Sequence, residues 1–155
     1  MRATSIALCA AAFAAASTPA SAINFPSLTT IYVAAGVRDD GDIGDEGIAT
    51  VFMCSNVSGQ TADVRVLILG NTGALVDQAT FSPAHGATTT VSTHVTSSFA
   101  NELSIDSGVV AQGVVNIEAT QSGVFCTAMI VDAADGGEMA PLHLVRVNPH
   151  PGTVE

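Results

Sequence analysis

The sequence contains no lysine and no tryptophan, one tyrosine (Tyr32), and four arginines in all. Each shortage argues against a class of function. Nucleic-acid binding needs a basic patch to neutralise phosphates, and a formal net charge of −10 supplies the opposite field. Anionic lipid surfaces are disfavoured for the same reason. Sugar and single-strand sites lean on aromatic platforms, which are scarce here. No apolar run after residue 22 is long enough for a membrane helix. Reactive motifs are also missing: there is no His-x-His, no His-Glu-x-x-His and no Gly-x-Ser-x-Gly elbow. Paired carboxylates of the glycosidase kind cannot be located from spacing. A triad assembled from distant Ser, His and Asp residues stays open, with nothing favouring one.

What is present begins with an export signal. Arg2 supplies a positive charge, "IALCAAAFAAA" (6–16) a short apolar run, and Ala20-Ser21-Ala22 the small-x-small pattern of a cleavage site. Cys9 does not mark a lipoprotein, because Leu8 stands where a small residue is needed. We expect residues 1–22 to be a cleaved secretory signal peptide and 23–148 one domain. Residues 149–155 should form an extended tail, and the mature chain should not insert in a membrane. With Arg2 removed, three basic residues face fourteen acids, a net charge of −11. That charge keeps an exported chain dispersed.

Removal of Cys9 leaves Cys54 in "ATVFMCSN" and Cys126 in "GVFCTAMIVD". An even count in an exported chain favours a disulfide between them. Such a bridge closes a loop of about seventy residues, worth roughly 4 kcal/mol in the chain-entropy account. A cysteine nucleophile needs an activating base and an electropositive setting, and neither cysteine has one nearby in sequence. A blue-copper site needs histidines grouped with Cys126 and Met129, and none follows soon after.

The domain alternates with period two. "ADVRVLIL" sends Val64, Val66 and Ile68 to one side. "VVNIEAT" does the same with Val115, Ile117 and Ala119. "TTTVSTHV" opposes Val91 and Val95 to a polar face of Thr88, Thr90, Ser92 and His94. "VFCTAMIV" is apolar on both sides, as a covered central strand would be. Turn signals such as "NVSGQ", "SPAHGA" and "TQSG" punctuate these runs. The pattern predicts an all-β, antiparallel sandwich of about eight strands, near 29–37, 48–56, 62–70, 75–81, 87–95, 109–119, 124–132 and 142–147. "SSFANELSI" breaks the alternation and is read as a connection with one short helical turn near 98–104.

The stretches "FMCSNVSGQTADVRVLILGNTGA", "FSPAHGATTTVST" and "GVVNIEATQSGVFCTAMIVD", within residues 48–132, resemble small exported bacterial proteins with an immunoglobulin-like β-sandwich. The resemblance implies that architecture, with adhesion, surface or accessory roles, and carries no functional residue. In a bacterial chain the Asn56-Val57-Ser58 sequon is turn chemistry.

Two groups are candidate sites. The acidic segment "RDDGDIGDEG" (38–47) fails as an EF-hand loop at Gly44 and Val51. It reads first as a solvated loop that guards strand edges. The alternative is an irregular calcium site on Asp39, Asp40, Asp42, Asp45 and Glu46, since five acids repel one another without a cation. The histidines His85, His94, His143 and His150 read as surface residues, and zinc or copper would need them to converge. The functional expectation is a non-enzymatic exported module without a cofactor, contacting a protein or envelope component through strand edges, loops and the Thr-rich face. An exported metal-binding protein is the alternative.

Overall fold

The computed structural model describes residues 22–41, 44–135 and 138–148. The expected signal segment up to Ser21, Asp42 of the acidic segment, and the expected tail with His150 lie outside the described residues. The fold is all-β, with ten strands and no helix among the described residues. In chain order they are β1 (Asn24–Asp39), β2 (Ile48–Asn56), β3 (Val64–Leu69), β4 (Leu75–Phe81), β5 (Thr88–Ser92), β6 (Glu102–Ser104), β7 (Val110–Gln121), β8 (Val124–Asp132), β9 (Met139–Leu142) and β10 (Val145–Arg146). One sheet runs β10-β1-β7-β3-β4 and the other β6-β5-β2-β8-β9. Every pairing is antiparallel except β5 with β6. Neither sheet closes on itself.

The period-two pattern accounts for the packing. Val64, Val66 and Ile68 of β3 and Val115, Ile117 and Ala119 of β7 are fully buried. They meet Phe52 and Cys54 of β2, Val91 of β5 and Val124 of β8 in one core shared by both sheets. Full burial of such side chains contributes about 1.5–3 kcal/mol each. A smaller cluster of Ala49, Val51, Val131 and Ala133 packs with Met53, Met129 and Phe99. It takes Met129 and Val131 on the face opposite Cys126 and Ala128, which explains why β8 is apolar on both faces toward its end. At its start the same strand leaves Phe125 54% exposed, so β8 is hydrogen-bonded on both edges without being covered on both faces.

Three expectations are corrected. First, "SSFANELSI" holds no helical turn. Glu102–Ser104 instead lies parallel to β5, and Phe99 packs on the smaller cluster. Second, the strand expected over 87–95 ends at Ser92. The polar face dissolves with it: Ser92, Thr93 and His94 are all buried, while Thr88 stays exposed. Third, the strand expected over 142–147 is two strands. β9 pairs with β8 in one sheet and β10 with β1 in the other, so the chain crosses between sheets after Leu142.

Local clips hold this arrangement. Cys54 and Cys126 face each other across β2 and β8 and are disulfide-bonded, with Cα atoms 4.1 Å apart. The bridge therefore lies within one sheet. Arg146 of β10 donates to Tyr32 Oη at 2.7 Å, to Val124 O at 3.1 Å and to Ser122 O. Its guanidinium also sits 5.1 Å from the ring centres of Tyr32 and Phe125. Asn56 is fully buried. Its Nδ2 donates to Gln60 O at 2.7 Å and Pro83 O at 2.8 Å, and its Oδ1 accepts from Ser58 N at 3.0 Å. The sequon position is thus a clip between two loops.

Candidate functional site

The end of β1 and the segment after β5 meet at one end of the molecule. Thr50, fully buried on β2, braces them. Its hydroxyl donates to Arg38 O at 2.7 Å and accepts from Arg38 N at 2.9 Å. On its other side, Thr50 N donates to Thr93 Oγ1 at 3.0 Å and Thr93 N to Thr50 O at 2.9 Å. Asp39 follows Arg38 and His94 follows Thr93, so this brace delivers both side chains to the same place. A threonine suits the position because its hydroxyl satisfies a donor and an acceptor that would otherwise be buried without partners.

Asp39 is only 2% exposed. Its Oδ1 lies 3.0 Å from His94 Nδ1 and accepts from Gly41 N at 2.7 Å. Its Oδ2 accepts from Ser107 Oγ at 3.1 Å. His94 is 4% exposed, and its Nε2 lies 2.9 Å from the carbonyl of Glu46. Asp40 is exposed and accepts from Ile48 N at 2.7 Å through Oδ2. Gly47, at φ +75°, has no room for a Cβ, since the Asp40 carboxylate would stand 2.4–2.7 Å away. Asp39 and His94 line a cavity of about 330 Å³, with Gly41, Gly44, Val95, Asp106 and Gly108 around it. Asp106 is the one non-glycine residue with positive φ, 55°, among the described residues.

Of the acidic set, the structure therefore converges Asp39 and Asp40, and joins them to His94. One ligand atom from each lies within 4.8 Å of the others. Asp45 and Glu46 are exposed and do not belong to this group, and Glu46 takes part through its backbone carbonyl. His85 is exposed in its turn, where Nδ1 accepts from Gly59 N at 3.1 Å. His143 follows β9 and is not part of the group. Thr50, Thr93 and Ser107 were not identified from the sequence, because a buried hydroxyl used as a brace leaves no spacing signal.

The group is not arranged as a hydrolytic triad. A triad sets the imidazole between hydroxyl and carboxylate. Here the carboxylate of Asp39 stands between Ser107 and His94, and the far nitrogen of His94 is engaged by a carbonyl. Among the described residues no helix is long and apolar enough to cross a membrane. No protein-family model, curated protein or solved structure matches this chain.

Proposed function

We propose that the chain is an exported, non-enzymatic β-sandwich of the immunoglobulin-like type that works by surface contact with an envelope or extracellular protein. The outer edge of β4 carries this reading. Of the four strands that end the sheets, β4 is the longest at seven residues, against three for β6, four for β9 and two for β10. Natural edges are usually blunted by lysine, proline or brevity. β4 has no lysine or proline, a single charge at Asp77, and exposes Leu75 and Val76 by 52% and 40%. Val76 and the 71% exposed Val109 flank one groove of about 360 Å³. An extended apolar segment of a partner fits this edge as an added strand, with backbone pairing for affinity and exposed Leu75 and Val76 for apolar contact.

Export is supported by the order of the N-terminal segment and by the position of Ile23. Its backbone nitrogen donates to Ser122 Oγ at 2.6 Å, a seat that a terminal ammonium at Ile23 would also fill. Placing a photo-crosslinking residue at Gln78 of β4 in the producing cell tests both parts. The expected result is one adduct in the exported fraction, absent when the label sits at exposed Thr127, on a chain whose intact mass begins at Ile23. Equal adducts from both positions, or none from Gln78, would overturn the edge. An exported chain still bearing residues 1–22 would overturn the cleavage.

A further inference from the structure

We propose that Asp39, Asp40 and His94 form a site for one divalent transition-metal ion of the zinc type. The argument starts from protons. A carbonyl oxygen only accepts, so the 2.9 Å contact with Glu46 O places a hydrogen on His94 Nε2. In the neutral ring Nδ1 is then a lone pair. That atom is buried, makes no hydrogen bond, and lies 3.0 Å from Asp39 Oδ1. Two acceptors at that distance, shielded from water, repel each other unless a proton or a metal ion stands between them. A cation between them turns the repulsion into two bonds.

The surroundings match what a metal-bound imidazole needs. Its other nitrogen is fixed by a carbonyl, which sets tautomer and ring orientation. Both carboxylates are oriented in turn: Asp39 by Gly41 N and Ser107 Oγ, Asp40 by Ile48 N. Ligand atoms on a tetrahedral ion at about 2.0–2.1 Å stand roughly 3.3 Å apart. The Asp39–His94 pair is already near that spacing at 3.0 Å, and exposed Asp40 closes the rest of the 4.8 Å spread by moving its side chain. Three protein ligands, two of which (Asp39 and His94) line an open cavity, leave a position for water or a small ligand. The donor set also discriminates. Calcium takes six to eight oxygens, whereas one imidazole with two carboxylates suits a borderline ion.

The test is a calorimetric titration of the chelator-treated full chain with zinc and, separately, with calcium. One equivalent of zinc should bind and raise the melting temperature with concentration. Asp40→Asn keeps an acceptor for Ile48 N and should weaken zinc by about tenfold or more. His94→Gln retains a side-chain N–H donor for the Glu46 carbonyl and should do the same. Nitrogen-detected NMR of the wild-type rings adds a readout independent of folding: zinc should shift His94 Nδ1 and leave Nε2 protonated. Binding unchanged in both variants, calcium bound in preference to zinc, or His94 Nδ1 unshifted at saturation would each overturn the site.

Discussion

Replacing Cys54 and Cys126 together by alanine is expected to lower stability by roughly 4 kcal/mol, and with it the melting temperature by on the order of 10–15 °C. The bridge closes a loop with a sequence separation of 72, so its removal returns a large share of chain entropy to the unfolded state. Native β2 and β8 lose little pairing, because their ladder runs from Ile48↔Asp132 to Asn56↔Val124 on both sides of the bridge. The effect should therefore appear as a lower urea midpoint with far-ultraviolet circular dichroism unchanged in water. The sulfurs belong to the shared core, with Cys54 fully buried and Cys126 8% exposed, so the native bridge should also resist mild reductant until the chain opens. An intact mass two hydrogens below that of the dithiol checks the bond itself. An unchanged midpoint in the double variant would mean that the unfolded state already holds the two strands together.

Asn56→Ala is expected to cost about 3 kcal/mol, the second largest effect. The substitution removes three hydrogen bonds at a residue with no exposed surface: Pro83 O keeps only Ala62 N, Gln60 O keeps only Ser58 Oγ, and Ser58 N loses its acceptor. Each bond lost to a carbonyl that keeps a second donor costs about 0.5–1.5 kcal/mol, and the orphaned Ser58 N about 1–3 kcal/mol. The backbone of the same residue donates to Ala87 O at 3.0 Å and accepts from Gly86 N at 2.7 Å. Loss of the side chain thus loosens the loop after β2 and the loop after β4 together. Ser58→Ala is the control, because its hydroxyl is exposed and reaches only Gln60 O at 3.0 Å, and it should cost under about 1 kcal/mol. Urea unfolding of the two variants side by side separates them. Equal costs would place the clip elsewhere in the turn.

The strands were legible where alternation decides the fold. β2, β4 and β8 begin and end at the residues expected, because each is bounded by turn chemistry and has one apolar face to bury. The misses come from contacts distant in sequence. His94 continues the alternation of Thr88, Thr90 and Ser92, so its spacing reads as outward. The chain leaves the sheet after Ser92 because Thr93 finds Thr50, and His94 turns inward to Asp39 and the Glu46 carbonyl. Nothing local to "TTTVSTHV" encodes those partners. β6 was missed for a similar reason: three residues are too few to show a period, and a parallel neighbour leaves no hairpin turn to find. Of the candidate site, the paired acids at 39 and 40 stood out as charge. The imidazole that gives them a use is brought by topology.

The placement of the first and last strands sets an order of events. Tyr32 in β1 pairs with Ile117 of β7 on one side and with Arg146 of β10 on the other. β1, the first of the described strands, thus has no strand neighbour in its sheet until β7 has followed about seventy residues later, and closing such long loops is slow. β2 can pair with β5 earlier, but it waits for β8 on its other edge, as Cys54 waits for Cys126. Before β7 is made, the chain has only the β3–β4 hairpin and the short β2–β5–β6 pairings to form, and such small sheets are marginal alone. Both sheets are therefore completed late, once β7 and β8 have been made.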